Sequence, residues 1–126
     1  MVHYKLTYFD ARGAAEVIRQ IFALADQEFE DVRIPREDWP SHKSEMPFGQ
    51  MPVLEIDGQQ LAQSFAIARF LAKKFGLTPK CPFEEALVDS IMDQFKDFGS
   101  EARPVYMVLA GLAEGDIVSL RNKVIL

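Results

Sequence analysis

Met51-Pro52-Val53-Leu54-Glu55-Ile56-Asp57-Gly58, with Gln63-Ser64 a few residues on, is the stretch that decides the fold. Pro52 has no N–H to give to a ladder, so it opens a strand rather than sitting inside one. Asp57-Gly58 then turns the chain back, because a two-residue primed turn needs positive φ at both positions. The spacing predicts a hairpin over 53–62. A polar Gln63-Ser64 pair follows and opens an apolar helix over 65–75, with Ser64 expected as its N-cap. The Met51–Pro52 bond, in a tight corner, is expected to be cis. A helix start also offers orphan N–H groups and a partial positive charge to an anion.

Upstream, Tyr4-Lys5-Leu6-Thr7-Tyr8-Phe9 is β-branched and aromatic and reads as a first strand. Asp10 to Gly13 breaks it. Val17, Ile18, Ile21, Phe22 and Ala25 then recur at helical spacing, which predicts a helix over 14–25. A short second strand is expected over 28–33, anchored by Phe29 and Val32. The polar run 35–44, which holds the lone Trp39, reads as irregular, and 46–50 as a loop. The order is strand, helix, strand, hairpin, helix. That is the thioredoxin-like pattern, so the fold class expected is α/β.

Downstream, the stretch 76–82 has a glycine and two prolines and is the best boundary in the chain. It separates a first domain, 1–78, from a helical part, 82–126. There Phe83, Leu87, Ile91, Phe95, Phe98, Ala102, Val105 and Leu109 predict one long amphipathic helix, bent at Gly99 and Pro104. Asp116 is placed to cap a last helix. The apolar end Val124-Ile125-Leu126, with Leu120 before it, would then have no later chain to cover it. The expectation is a chain that stops inside a helical domain, which wants more chain or a partner.

The bulk properties narrow the function. The chain has 126 residues, a net charge of −5 and a pI near 5.0, with no basic cluster, so nucleic acid is not an expected partner. No apolar run approaches the 18 or so residues of a membrane span, and no signal-peptide core is seen. Cys81 is the single cysteine, which excludes an internal disulfide and a Cys-x-x-Cys redox pair. With His3 and His42 the only histidines, no metal is expected. A reducing, cytoplasmic setting is the plain reading.

At this point the residues resemble a family. Tyr4 to Phe9 with Arg12-Gly13 and Ala15-Glu16 resembles the opening of cytosolic glutathione transferases. Pro47-Phe48-Gly49-Gln50-Met51-Pro52-Val53-Leu54-Glu55 and Gln63-Ser64-Phe65-Ala66-Ile67-Ala68-Arg69-Phe70-Leu71 look like that family's glutathione-site segments. The run from Glu85 to Asp97 looks like the first helix of its all-α domain. The class resembled is the sigma type, which includes haematopoietic prostaglandin D synthase, and nematode members look most similar. Members have roughly 200 residues, so the resemblance implies a C-terminally truncated chain, with a thioredoxin-like domain followed by the first helices of the all-α domain.

The resemblance also implies roles. Tyr8 is the hydroxyl that activates the glutathione sulfur. Trp39 and Lys43 hold the glycyl carboxylate end. Gln50, and the backbone of Met51 beside Pro52, pair with the peptide part. Gln63 and Ser64 take the γ-glutamyl carboxylate. Asp97 reaches the γ-glutamyl amino group held by the other subunit of a homodimer. The activity implied is conjugation of glutathione, as cosubstrate, to hydrophobic electrophiles in detoxification. Two departures stand out. Ala14 replaces an arginine that helps activate the thiolate in some sigma enzymes. Lys96 stands where the prostaglandin synthase has an aspartate, in an acidic interface cluster said to bind divalent metal.

Each role has a plainer alternative. Tyr8 could be a strand tyrosine with its ring in the core, Ser64 an ordinary cap, Trp39 a packing residue and Lys43 a solvated lysine. Asp89, Asp93 and Asp97 could form a solvated stripe, where like charges four apart cost ~0.2–0.5 kcal/mol per pair. At the level of function, the alternatives are a non-catalytic glutathione-binding or dimerisation module, and a glutathione-dependent isomerase or peroxidase.

Overall fold

The computed structural model describes residues 1–125. The uncovered apolar end read from Ile125 and Leu126 lies outside the described side chains. The chain divides into two compact units, one of Met1–Thr78 and one from Pro79 onward.

The first unit is a four-stranded mixed sheet with helices. In chain order it contains β1 (Tyr4–Phe9), α1 (Glu16–Leu24), β2 (Glu30–Ile34), α2 (Trp39–His42), β3 (Val53–Ile56), β4 (Gln59–Ala62) and α3 (Ser64–Lys74). The strand order is β2-β1-β3-β4. β1 and β2 are parallel, joined through α1; the other two pairings are antiparallel. This is the thioredoxin-like arrangement expected.

Alternation along β1 sorts its side chains. Tyr4 and Leu6 are buried, while Lys5 and Thr7 are only half-buried. Leu6, Ile18, Phe22, Leu54, Ile67 and Leu71 are the largest fully buried side chains, so the core is built from β1, β3, α1 and α3. Aromatic rings close its end: Phe22 stacks on Phe29 at 4.4 Å, and Tyr4 meets Phe22 and Phe75 edge-on at 5.3 and 5.9 Å. Such pairs add ~0.5–1.5 kcal/mol each beyond the area they bury.

The hairpin turn is as the Asp-Gly pair requires, with φ of 46° at Asp57 and 85° at Gly58. Asp57 also stitches the turn to the chain ahead of β1. Its carboxylate accepts the His3 N–H at 2.9 Å, and its own N–H donates to the His3 carbonyl at 3.1 Å. A Cβ at Gly58 would meet nothing within 4 Å, so only the backbone opposes a side chain there. Gly58→Ala is therefore expected to cost ~1–2 kcal/mol, read as a lower urea midpoint with unchanged slope. An unchanged midpoint would mean that the turn tolerates an L-residue without strain.

Several boundaries differ from the sequence reading. β2 runs over Glu30–Ile34, and Ile34 rather than Phe29 is its buried strand residue. The run 35–44 is not irregular: 3₁₀ turns at Arg36–Asp38 and Lys43–Glu45 flank the short helix α2. Its turns are too short to show a hydrophobic period. Ser64 is not the N-cap of α3 but its first helical residue. The Ile67 N–H bonds the Gln63 carbonyl at 2.9 Å, which makes Gln63 the cap position.

The second unit contains α4 (Pro82–Leu109) and α5 (Ile117–Ile125). α4 continues as one helix of 28 residues through Gly99 and Pro104. Phe83, Leu87, Ile91, Phe95 and Phe98 on it are exposed. Asp116 caps α5 as expected, accepting the Val118 N–H at 3.1 Å. Leu120 is half-buried, with its Cδ1 close over Gly115, and Val124 is half-buried too. Cys81 precedes α4 and is exposed; the N–H groups of Glu84 and Phe83 hold its thiol below the ordinary value. No helix among the described residues is long and apolar enough to cross a membrane.

Candidate functional site

Strand register brings four separate segments to one edge of the sheet. Phe9 pairs with Ile34 at the carboxyl ends of the parallel strands. Thr7 pairs with Val53, the first residue of β3, and Val53 pairs with Ala62, the last residue of β4. Tyr8, the chain after Ile34, Met51-Pro52 and Gln63-Ser64 thus all meet the sheet at the same edge. Ligands of open α/β sheets bind outside the carboxyl ends of the strands, because loops and helix starts converge there.

Tyr8 is half-buried, and its ring meets Phe9 edge-on at 5.4 Å. Its hydroxyl oxygen accepts the Ala14 N–H at 3.2 Å. With an acceptor position of the oxygen occupied, the phenolic proton is free to be donated elsewhere.

Trp39 starts α2 and packs edge-on against Phe9 at 5.7 Å, half-buried. The Arg36 guanidinium lies over the same Phe9 ring, 4.8 Å from its centre. Phe9 therefore ties the Tyr8 strand to the turn that carries Trp39. Lys43 is exposed, and its stem lies across Gly49: a Cβ there would sit 3.4 Å from the Lys43 Cε. The positive φ of Gly49, 60°, turns the loop toward Gln50.

The Met51–Pro52 peptide is cis, as expected. Met51 precedes the first ladder pair of β3, so its backbone lies outside the β3–β4 ladder. Gln50 and Gln63, thirteen positions apart, are brought together: the Gln63 Nε2 donates to the Gln50 Oε1 at 3.2 Å. Gln63 has φ 75° and ψ 112°, a conformation that a side chain rarely adopts. Strain of this kind costs ~1–3 kcal/mol and collects at ligand clamps. Ser64, half-buried, follows at the first turn of α3, where N–H groups lack helical partners.

These groups fit a small peptide with carboxylates and a thiol. Gln50 and Gln63 supply amides, α3 supplies an N-terminus, Lys43 a cation and Tyr8 a hydroxyl donor. Asp97 lies in the second unit, exposed on α4. Among the described residues, no group of three or more His, Cys, Asp or Glu side chains suits a metal ion. A separate cleft of about 580 Å³ has Lys5, Thr7, His42, Met46 and Glu55 in its walls but none of Tyr8, Gln50, Gln63 and Ser64. Sequence reasoning missed Phe9, Arg36 and Gly13 as supports of the site. Phe9 and Gly13 lie in the opening motif, but the contacts of Phe9 with Trp39 and Arg36, and of Gly13 with Tyr8, show only in the folded chain.

Comparison with known proteins gives this geometry a context. Residues 4–73, more than half of the chain, match the N-terminal domain of glutathione S-transferases. A probable glutathione S-transferase 7 of Caenorhabditis elegans is 58% identical over all 126 residues, which cover 61% of that relative. Monomeric Na-GST-3, a glutathione S-transferase of the hookworm Necator americanus, is 69% identical with a TM-score of 0.90, over 95% of this chain and 58% of that one. A prostaglandin synthase D of Nilaparvata lugens is 43% identical with a TM-score of 0.82, over 96% of this chain and 58% of that one. The chain thus spans about three-fifths of the length of the relatives it matches. The match over 4–73 runs from the first strand to the last turn of α3 and takes in the whole of this sheet edge, and the chain belongs to the glutathione S-transferase family.

Proposed function

We propose that the protein binds glutathione at this edge of the sheet and joins its thiolate to hydrophobic electrophiles. The observation that carries the reading is the Tyr8 hydroxyl, anchored by the Ala14 N–H at the edge where Gln50, Gln63 and the start of α3 converge. Thiolates, not thiols, are the nucleophiles, and a thiol of pKa ~8.5 is mostly protonated at pH 7. A phenol O–H donated to the sulfur favours the anion and so prepares the cosubstrate for attack. Trp39 and Lys43 hold the glycyl carboxylate. Gln50 and the Met51 backbone beside Pro52 pair with the peptide. Gln63 and Ser64 take the γ-glutamyl carboxylate.

The sigma class, a cytoplasmic setting and a detoxifying role belong to the same proposal. The nematode relatives and the prostaglandin synthase likeness support the class. The test is calorimetric titration with glutathione, together with a spectrophotometric assay of its conjugation to an aryl halide. Saturable binding with conjugation is expected; absence of binding overturns the reading. Binding without conjugation leaves a glutathione-binding module. The likeness to a prostaglandin synthase favours one second reading, a glutathione-dependent isomerase at the same site. Turnover of an endoperoxide in preference to the aryl halide would select it.

The shared-site part of the proposal concerns Asp97. Its carboxylate, exposed on α4, would pair across a two-fold interface with the γ-glutamyl ammonium held by a second copy. Asp97→Asn is expected to weaken glutathione binding by about 3–10-fold and to leave the bound thiol pKa unchanged. One relative is described as monomeric, so the assembly needs its own measurement. Equal affinity in a monomer by sedimentation would sink the shared site.

A further inference from the structure

The loop after β1 approaches Tyr8 more closely than any side chain would allow. Gly13 has φ 42°. A Cβ on it would run into the Tyr8 Oη and lie 3.0 Å from its Cε1 and 3.1 Å from its Cζ. The phenol therefore rests against the bare Cα of Gly13. The next residue, Ala14, donates its N–H to that Oη at 3.2 Å. Both features come from one turn. Positive φ at Gly13 aims the following amide at the oxygen, and the missing Cβ lets the ring reach it.

We propose that Gly13 and the Ala14 amide form a positioning device for the Tyr8 hydroxyl. The inference rests on the reading that Tyr8 donates to the glutathione sulfur. A phenol oxygen accepts and donates at once. When the Ala14 N–H fills an acceptor position, the O–H is directed away from the loop. Donation into the oxygen also polarises the O–H and strengthens what it gives onward, because hydrogen bonds in series reinforce one another. The donor is backbone and is therefore independent of the side chain at position 14. Gly13, by contrast, cannot be exchanged without moving the ring or the turn.

The decisive variant removes only the donor. Ala14 is replaced by its α-hydroxy acid counterpart, so that an ester oxygen stands where the N–H was. The bound glutathione thiol pKa, from ultraviolet titration, is expected to rise by a few tenths of a unit. kcat is expected to fall about 2–5-fold, with the KM for glutathione unchanged. Gly13→Ala is expected to act in the same direction and more strongly, since it displaces the ring as well. On a Tyr8→Phe background the ester should change neither quantity further.

If Tyr8→Phe shifts the thiol pKa and the ester variant does not, the positioning role is overturned while the Tyr8 reading stands. Should Tyr8→Phe itself be silent, the Tyr8 reading falls, and this inference with it. An equal loss from the ester with and without the Tyr8 hydroxyl would mean that the amide acts by another route, which also overturns the proposal. The ester variant keeps the test open if Gly13→Ala fails to fold.

Discussion

Tyr8→Phe should cut conjugation turnover by ~10–100-fold while glutathione affinity stays within a few-fold. The substitution removes one oxygen and leaves the ring against Phe9, at the end of β1. What disappears is a single O–H donor to the sulfur, worth ~1.4–2.7 kcal/mol of thiolate stabilisation if the bound thiol rises by about one to two pKa units. Binding is spread over amides, a helix start and a cation elsewhere on the edge, so affinity should barely register the loss. Folding should be little affected: the Ala14 N–H that loses its acceptor is solvent-exposed and can turn to water. Ultraviolet difference spectra of bound glutathione against pH give the thiol pKa directly. A Tyr8→Phe variant with unchanged thiol pKa and unchanged turnover would remove Tyr8 from the mechanism.

The parts of this site that were legible in the sequence are those fixed by local chemistry. Asp57-Gly58 requires positive φ, and that requirement alone sets the register of β3 against β4 and hence where Gln63 emerges. Tyr4 to Phe9 announces a strand by composition, and the structure ends β1 at Phe9. Illegible parts depend on meeting something distant. Ser64 has the chemistry of an N-cap, yet Gln63 takes the cap position in a strained conformation, which no local preference favours. The segment around Trp39 folds into three consecutive short turns, too brief for a period to appear. Gly13 reads as a strand breaker and as part of the family-like opening, but its close approach to Tyr8 shows only once the ring is seen against it. Asp97 gained its proposed role from resemblance alone; helical spacing says only that it shares a stripe with Asp89 and Asp93.

Beneath the Tyr8 loop lies a charged network whose disruption should destabilise the first unit strongly. Arg19, on α1, is 9% exposed. Its Nε donates to the Asp31 carboxylate at 3.2 Å, and its Nη1 donates to the Ala11 carbonyl at 2.7 Å and to Glu16 at 3.3 Å. Its Nη2 is buried without a hydrogen-bond partner among the described residues. Asp31 also accepts from Arg33, at 3.0 Å to Nε and 2.9 Å to Nη2, and Arg33 continues to Asp10 at 2.8 Å. The hydrogen bonds to Asp10 and Asp31 raise the Arg33 pKa, and a guanidinium is charged at working pH even without that shift.

Deleting the shared carboxylate leaves a buried guanidinium with its central partner gone. Asp31→Ala should therefore cost ~1.5–3 kcal/mol, the scale of a lost hydrogen bond to a charged group, because Glu16 and the Ala11 carbonyl still face the guanidinium while its Nε is left without a partner. Arg19→Met should cost less than Asp31→Ala, since the charge leaves with the side chain and the methionine fills the space. Adding Arg19→Met to Asp31→Ala should then recover part of the lost stability. Urea denaturation of the three variants measures this ordering. Arg19→Met also frees the Ala11 carbonyl, which anchors the loop that runs on to Gly13 and Ala14. It should lower turnover even where the fold survives. An Asp31→Ala protein as stable as the parent, or a double variant weaker than both singles, would show that Glu16 and the Ala11 carbonyl satisfy Arg19 without Asp31.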